Sequence, residues 1–315
     1  MDMENPAPKK LTIGAQKVSS LKPGEQREIK KLSKKTLPAP EKNIAQLHTK
    51  KIEAALQPDE KEHDLLTEKI VLIREMVGST SKIFYIELET GTKAIVKILN
   101  LDDEKYIIDN KELHPANTEI AAHLLDKILG FSLTPATILR EKLDYENSDQ
   151  TLLKIENLLG EDDRFMVQEF VAGKTAEEIL EGGGRLPNDV MLTISVYDYL
   201  LCNFDRNYSN IKFSRGQLTA LDEEFSFEDT NFDKVINDLS SAAKAQKIVP
   251  NVLYEIFENF KNNRNAMVET IRLGFRDLMP EDKIDACISR IDQIGKIILS
   301  NNSVPEEEIG KLTFN

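Results

Sequence analysis

From about Leu65 onward, short runs of β-branched and aromatic residues alternate with turn-forming ones. Ile70-Val-Leu-Ile73, Ile83-Phe-Tyr-Ile-Glu-Leu88 and Ala94-Ile-Val-Lys-Ile-Leu99 are separated by Gly78-Ser79-Thr-Ser and by Glu89-Thr-Gly91-Thr, which predicts a three-strand antiparallel meander. Glycine between two alternating runs marks the second connection as a hairpin. His114-Pro-Ala-Asn-Thr118 looks like a helix start, with proline in the first turn, and the apolar residues from Glu119 to Leu129 keep helical spacing up to Gly130. Phe131 to Arg140 predicts a turn into a strand, and Arg164 to Val171 a further strand that completes a five-strand sheet. The charged stretch from Glu141 to Asp163 between them is expected to be a loop, and Ala172-Gly173 breaks the last strand. Beyond Pro187 the pattern becomes helical. Val190 to Cys202 is a strongly apolar helix, two short strands, Ile211 to Phe213 and Leu218 to Leu221, flank the turn Ser214-Arg-Gly-Gln, and Phe232 to Ser300 continues as amphipathic helices. The expected class is α+β: a small antiparallel β-rich lobe with one main helix, then a larger, mostly helical lobe.

The first fifty residues depart from this pattern. Met1 to Lys51 holds twelve Lys/Arg against five Asp/Glu, whereas the whole chain of 315 residues carries a net charge of −13. Prolines at 6, 8, 23, 38 and 40 and very few aromatics give this stretch too little apolar surface to offset its ordering entropy. It is expected to be a flexible basic arm, with Ile44 to Leu56 capable of a short helix. As an arm it has three readings: a solvated tail, a contact for anionic lipid, or a docking arm. The resulting division is an arm over residues 1–64, a small lobe over 65–172, a large lobe over 173–302 and a polar tail over 303–315.

Composition narrows the function classes. A strongly acidic chain is a poor nonspecific nucleic-acid binder, since that affinity comes mainly from Lys and Arg neutralising phosphates. Cys202 and Cys287 lie far apart with no CxxC pair, so neither a disulfide framework nor a zinc site is expected and a reducing cytosol fits. No apolar run approaches the roughly 18 residues of a membrane span, and the first residues lack the apolar centre of a signal peptide.

The candidate chemistry lies at Asp205-Arg-Asn-Tyr-Ser-Asn210, followed twelve positions later by Asp222. An aspartate, an asparagine five residues on and a later aspartate can divide two jobs: the first orients or deprotonates an acceptor hydroxyl, and the other two hold the metal ions of magnesium-ATP. The predicted hairpin brings Asn210 and Asp222 to neighbouring strand ends, as a shared metal requires. Lys97, in an apolar strand, points either to the solvent face or into a cleft as a phosphate ligand. Glu119 is either its helix partner or an acid favoured by the helix dipole. Asp205 and Asp222 each have a plainer reading as turn residues, with Asp205 paired to Arg206. Gly78 and Ser79 resemble a phosphate-covering loop with a single glycine. Glu181-Gly-Gly-Gly-Arg185 lacks phosphate-binding spacing and is assigned no chemistry.

Asp198-Tyr-Leu-Leu-Cys-Asn-Phe-Asp-Arg-Asn-Tyr-Ser-Asn-Ile211 resembles the N-x-D-R-x-x-x-N catalytic segment of the atypical kinases: HipA-like kinases, type II phosphatidylinositol 4-kinases and secretory-pathway kinases. Ile128-Leu-Gly130 to Pro135, Phe165 to Val171 and Leu221-Asp222 are similar to that group too, in the same order, over about Ile70 to Phe227. The resemblance implies a bilobal protein-kinase-like fold and ATP-dependent phosphotransfer with Mg2+ or Mn2+. By position, Lys97 would bind the α/β-phosphates, Glu119 would orient Lys97, and Asp205 would be the catalytic aspartate. Asn210 and Asp222 would ligate metal, and the backbone of Glu169 to Val171 would meet the adenine edge. Two departures stand out: Asn207 replaces the histidine that many relatives have after Asp-Arg, and Asp222-Glu223-Glu224 lacks the usual glycine. Two further carboxylates there are expected to tighten the metal, favour manganese or lower activity by repulsion.

A protein Ser/Thr hydroxyl is the expected acceptor, with a phosphoinositide as the alternative. A nucleotide-binding pseudokinase and transfer of AMP in place of phosphate are the other readings. Placed at about 100° per residue, Lys261, Arg264, Arg272 and Arg276 share one sector of a helix, either as a solvated face or as a site for an anionic regulator such as an inositol phosphate or lipid headgroup. Pro305-Glu-Glu-Glu-Ile-Gly looks like the translocation signal of type IV secreted effectors of intracellular bacteria. That gives two expected addresses, bacterial cytoplasm and host cytosol.

Overall fold

The computed structural model describes residues 56–76, 82–98, 113, 115–140, 165–214, 217–228, 231–301 and 304–312, all within one compact unit spanning residues 49–315. The expected arm to residue 55, the Gly78-Ser79 turn and the charged 141–163 segment lie outside the described residues.

The small lobe opens with helix α1 (Glu60–Thr67), which straddles the boundary at residue 64 that the sequence sets between arm and lobe. Asp59 begins it with a capping box: its carboxylate accepts from the Glu62 N–H while the Glu62 carboxylate accepts from the Asp59 N–H. Strands β1 (Ile70–Glu75), β2 (Lys82–Leu88) and β3 (Lys93–Ile98) form the expected meander. Gly91, at φ +84°, lets the β2–β3 turn close where a side chain would strain the backbone. Helix α2 (Pro115–Leu129) ends on Gly130, also at positive φ, whose N–H reaches back to the Asp126 carbonyl. Strands β4 (Thr137–Arg140) and β5 (Phe165–Glu169) complete a sheet of order β1-β2-β3-β5-β4, antiparallel throughout.

Strand alternation gives this sheet two different faces. Phe84, Ile86, Ala94, Val96, Ile138 and Val167 pack with Leu65 of α1 in one buried cluster. The opposite face carries Ile83, Tyr85, Ile95, Lys97, Met166 and Gln168, as the registers Ile83↔Lys97, Tyr85↔Ile95, Ile95↔Gln168 and Lys97↔Met166 require. Here Met166 packs on Ala116 of α2.

The chain passes to the large lobe through β6 (Lys174–Thr175), α3 (Ala176–Glu181) and α4 (Asn188–Leu201). A 3-10 turn (Tyr208–Asn210) leads into β7 (Ile211–Ser214) and β8 (Gln217–Ala220), which form a three-stranded sheet with β6. Helices α5 (Phe232–Gln246), α6 (Asn251–Phe275) and α7 (Glu281–Ser300) make the bulk of this lobe. They share one core with α4, and Ala121, Ala122, Leu125, Ile128 and Leu129 of α2 belong to that same core. Thus α2 joins the small-lobe sheet to the large-lobe helices. The expected polar tail also contributes to packing, because α8 (Glu306–Ile309) docks on α5, burying Val304, Ile309 and Leu312. Among the described residues no helix is long and apolar enough to cross a membrane.

Candidate functional site

The face of β3 turned towards α2 determines where Lys97 points. Its side chain is 6% exposed, and Nζ donates to Glu119 Oε1 at 2.8 Å and to Asp222 Oδ1. The solvent-face alternative for Lys97 is therefore excluded. Glu119, one turn into α2, is buried, and its second oxygen lies 3.5 Å from the Gln168 amide, which also bonds Thr137 Oγ1 at 3.0 Å. Burial alone would lower the lysine pKa, but the carboxylates of Glu119, Asp222 and Glu224 outweigh it and hold Lys97 firmly charged.

The β7–β8 hairpin brings together the residues that the sequence separates by twelve positions. The Leu221 N–H donates to the Asn210 carbonyl at 2.8 Å, and the Asn210 amide reaches Asp222 Oδ2 at 3.2 Å. Asp222 sits in the left-handed region, at φ +65°, which aspartate tolerates better than most residues. Its two oxygens therefore face Lys97 and Asn210. Among the described residues no group of three or more His, Cys, Asp or Glu could hold a metal alone. The oxygens of Asn210 and Asp222 nevertheless suit a hard divalent cation, which takes one or two protein oxygens and completes its shell with phosphates and water.

The loop from Asn203 to Asn207 is held by a buried ionic lattice. Arg206 forks onto Asp198 of α4, with Nε at 3.1 Å and Nη2 at 2.9 Å from Oδ1, and Nη2 also reaches Glu223 Oε1 at 2.5 Å. Its Nη1 donates to the Leu221 carbonyl. Glu223 accepts from the Asn203 amide at 2.7 Å, and Asn203 Oδ1 in turn accepts the Asp205 N–H at 3.0 Å. Arg206 thus serves Asp198 and Glu223, and the Asp205 carboxylate takes no hydrogen bond or ion pair among the described residues. Burial pushes Glu223 up to about 7 despite the opposing Arg206, and burial raises Asp198 as well.

The two extra carboxylates have different surroundings. Glu223 is 1% exposed and turned onto Arg206 and Asn203, while Glu224 is buried with its carbonyl accepting from Thr118 Oγ1 at 3.1 Å. Glu223 thus braces the loop, and the Glu224 carboxylate adds to the negative charge around Lys97. The roles of Glu223 and Gln168 have no signal in local spacing, because their partners lie 17 to 49 residues away.

In the connection between lobes, the Glu169 N–H is spent on the Ala136 carbonyl and the Phe170 N–H on the Lys93 carbonyl, both at 2.8 Å. The Glu169 carboxylate pairs with Lys61 at 2.5 Å. The Val171 N–H has no partner among the described residues, and the Val171 carbonyl accepts from Lys212 Nζ at 3.0 Å. Behind this connection, Asp59, His123, Asp126, Thr134 and Glu169 line a cavity of about 600 Å³, but Lys97, Asp205, Asn210 and Asp222 do not.

Two of the four residues of the basic stripe on α6, Arg264 and Arg272, are paired with acids. The helix is interrupted at Asn263, at φ −119° and ψ 18°, where the side chain bonds Asn259. Arg264 is forked onto Asp292, and Arg272 is bound to Glu281 and Asp285. Acids of α7, 28 residues away in the first case, neutralise these two charges.

Among solved structures the chain is similar to the Golgi casein kinase, with a TM-score of 0.50 and 18% identity over 78% of this chain and 77% of that one. It is similar to the Golgi casein kinase with Mn/ADP bound, with a TM-score of 0.50 and 18% identity over 79% and 75%. A third match is hydra Fam20 with sugar, with a TM-score of 0.50 and 12% identity over 76% and 87%. At such identities the likeness is one of fold: the α+β, bilobal, kinase-like architecture. No family model matches the chain, and no curated protein matches it.

Proposed function

We propose that the chain is an ATP-dependent phosphotransferase, acting on a protein Ser/Thr hydroxyl in preference to an inositol lipid. The observation that carries this reading is the Lys97 ammonium held between Glu119 and Asp222, with Asn210 on the other oxygen of Asp222. In this reading Lys97 meets the α/β-phosphates, and Asn210 and Asp222 hold Mg2+ or Mn2+. A cation held there would supply neutralisation of charge on the transferring phosphate. Asp205 accepts the hydroxyl proton as the new oxygen–phosphorus bond forms and the bond from the γ-phosphorus to the ADP oxygen breaks. Its open carboxylate suits that role, and the Asn203–Glu223–Arg206 lattice holds its backbone N–H. In this reading the Val171 N–H, which has no partner among the described residues, meets the adenine edge.

A second reading, a nucleotide-binding module without turnover, is favoured by one feature: Asp222-Glu223-Glu224 lacks the usual glycine. For the compartment we propose a cytosol, since both cysteines are free and buried, with burial raising Cys287 to about 11. The glutamates of residues 306–308 support delivery into a host cell.

The test is transfer of label from γ-labelled ATP with magnesium or manganese, comparing wild type, Asp205→Ala and Asp222→Ala on generic protein and on mixed phosphoinositides. Transfer to protein that falls by several orders of magnitude in both variants is the expected result. Transfer to lipid alone would reassign the acceptor, and transfer from α-labelled ATP would reassign the reaction to AMP transfer. Nucleotide-dependent thermal stabilisation without any transfer would favour the binding module, and absence of both would remove the proposal.

A further inference from the structure

Phe204 and Asp205 are joined by a trans peptide, whose carbonyl and N–H point in opposite directions within one plane. Both ends of that plane are held. The Asp205 N–H donates to Asn203 Oδ1 at 3.0 Å, and the Phe204 carbonyl accepts from Lys234 Nζ. The Phe204 side chain adds a third hold, its ring lying 5.8 Å from that of Phe225. A peptide plane bonded at one end can swing about that bond. Bonded at both, it cannot turn without breaking two hydrogen bonds, so the direction of the N–Cα bond that carries the Asp205 side chain is constrained.

The stability of its own helix does not explain Lys234. It is the third residue of α5, and a cation in the first turn of a helix faces the positive end of the helix dipole. No side chain caps that end, since Asn231 precedes the helix without a side-chain hydrogen bond. An ion contact to Asp238, one turn on, is 3.6 Å long between two exposed side chains, with the cation before the acid, the weaker order on a helix. The backbone from which Lys234 reaches is nevertheless fixed, because its neighbour Val235 and Leu239 are buried in the core that α5 shares with α4. The same α4 runs into Asn203, so both holds on the peptide spring from one packed pair of helices.

We propose that Lys234 is a positioning residue for phosphotransfer: by holding the Phe204 carbonyl it keeps the Asp205 carboxylate where the acceptor hydroxyl is met. The inference rests on the phosphotransferase reading above and adds to it a residue that acts through Asp205. Its loss therefore bears on turnover and not on the nucleotide, which Lys97, Asn210 and Asp222 hold in that reading. Misplacing a catalytic group by about 1 Å can cost about a hundredfold in rate. Water reaches this exposed bond and replaces part of it, which makes the expected loss smaller than that.

The experiment measures kcat and the KM for ATP of the full chain with γ-labelled ATP and MnCl2, on the generic protein and mixed phosphoinositide acceptors. Wild type is compared with Lys234→Met, Lys234→Arg and Asp238→Asn, each well below its unfolding midpoint. Lys234→Met should lower kcat by about fivefold or more while the KM for ATP and the nucleotide-dependent thermal stabilisation stay within about twofold. Lys234→Arg keeps a charged donor and should restore most of the turnover, and Asp238→Asn, which removes only the other partner, should match wild type. A smaller loss in Lys234→Met, a KM that rises as far as kcat falls, or an equal loss in Lys234→Arg or Asp238→Asn overturns the inference and leaves the phosphotransferase reading standing. Should Lys234→Met fail to fold, Lys234→Ala, which favours the helix, decides by the same criteria. Absence of transfer by wild type overturns both readings.

Discussion

Asp222, Glu223 and Glu224 are consecutive acids, yet each has a different role. Asp222 faces Lys97 and Asn210, Glu223 faces Arg206 and Asn203, and Glu224 is buried with its carbonyl held by Thr118. The first meets Asn210 directly, and the second is turned onto Arg206 and Asn203. Asp222→Asn is therefore expected to raise at least tenfold the Mn2+ concentration needed for nucleotide-dependent thermal stabilisation, and Glu223→Gln to leave it within about twofold. Equal shifts would mean that Glu223 also serves the metal. Glu223 should instead be sensitive to truncation, because Glu223→Ala leaves Arg206 only partly neutralised in a buried site. Breaking such a pair costs about 3–5 kcal/mol, which urea unfolding would detect. The meeting of Lys97 with Glu119 and of Asn210 with Asp222 was legible in the sequence, since motif spacing and strand context bear on it directly. The division of labour among three adjacent acids was not. Alternation places neighbours on opposite faces, but the left-handed turn at Asp222 sets where each one points, and spacing does not encode that turn.

Helix α1 raises a question of attachment, because eight residues cannot hold helical structure in water without tertiary contacts. Leu65 enters the outer face of the sheet, and Glu62 gathers the Asp59 N–H at 2.6 Å, His123 Nε2 at 2.8 Å and Lys127 Nζ at 2.5 Å. Burial works to raise the Glu62 pKa, but these partners overcome it and hold the carboxyl at about 2. A depressed acid stabilises the fold at pH values above its unfolded pKa, near 4.5, and loses that contribution as pH falls towards 2. The whole contribution is on the order of 3 kcal/mol. Glu62→Gln is thus expected to lower stability at pH 7 and to flatten the loss between pH 4.5 and 2, read by urea unfolding at stepped pH. An unchanged pH slope would mean that Glu62 does not hold α1. The hairpins and α2 were visible beforehand because glycine turns and 3.6-residue spacing are local signals. The attachment of α1 was hidden, since it depends on partners from about 60 residues away, and the pairing of Arg264 and Arg272 with acids of α7 was hidden for the matching reason.

At the scale of the whole molecule, the placement of Glu119 opposite Lys97 depends on a helix that belongs to both lobes. One end of α2 meets the sheet through Ala116 and Met166, while Ala121, Ala122, Leu125, Ile128 and Leu129 lie in the core of the large lobe, against α6. Tyr197 of α4 adds a directional bond, its hydroxyl donating to the Ala122 carbonyl at 2.7 Å. Burial raises the Tyr197 pKa, with Asp126 and Glu223 adding to it, so the phenol stays protonated and remains a donor. The large lobe, which supplies Asp205, Asn210 and Asp222, thereby also sets the position of the glutamate that orients Lys97. Removing the hydroxyl alone tests this dependence without opening a cavity: Tyr197→Phe keeps the ring against Phe131 and deletes only the bond to α2. The expected cost is about 1–2 kcal/mol of stability, the usual value for one buried hydrogen bond. Well below the unfolding midpoint, phosphotransfer turnover should fall several-fold while nucleotide affinity stays within about twofold, because the Lys97–Glu119 pair shifts and the base contacts do not. Turnover equal to wild type, with the stability loss present, would instead assign the position of α2 to the sheet alone.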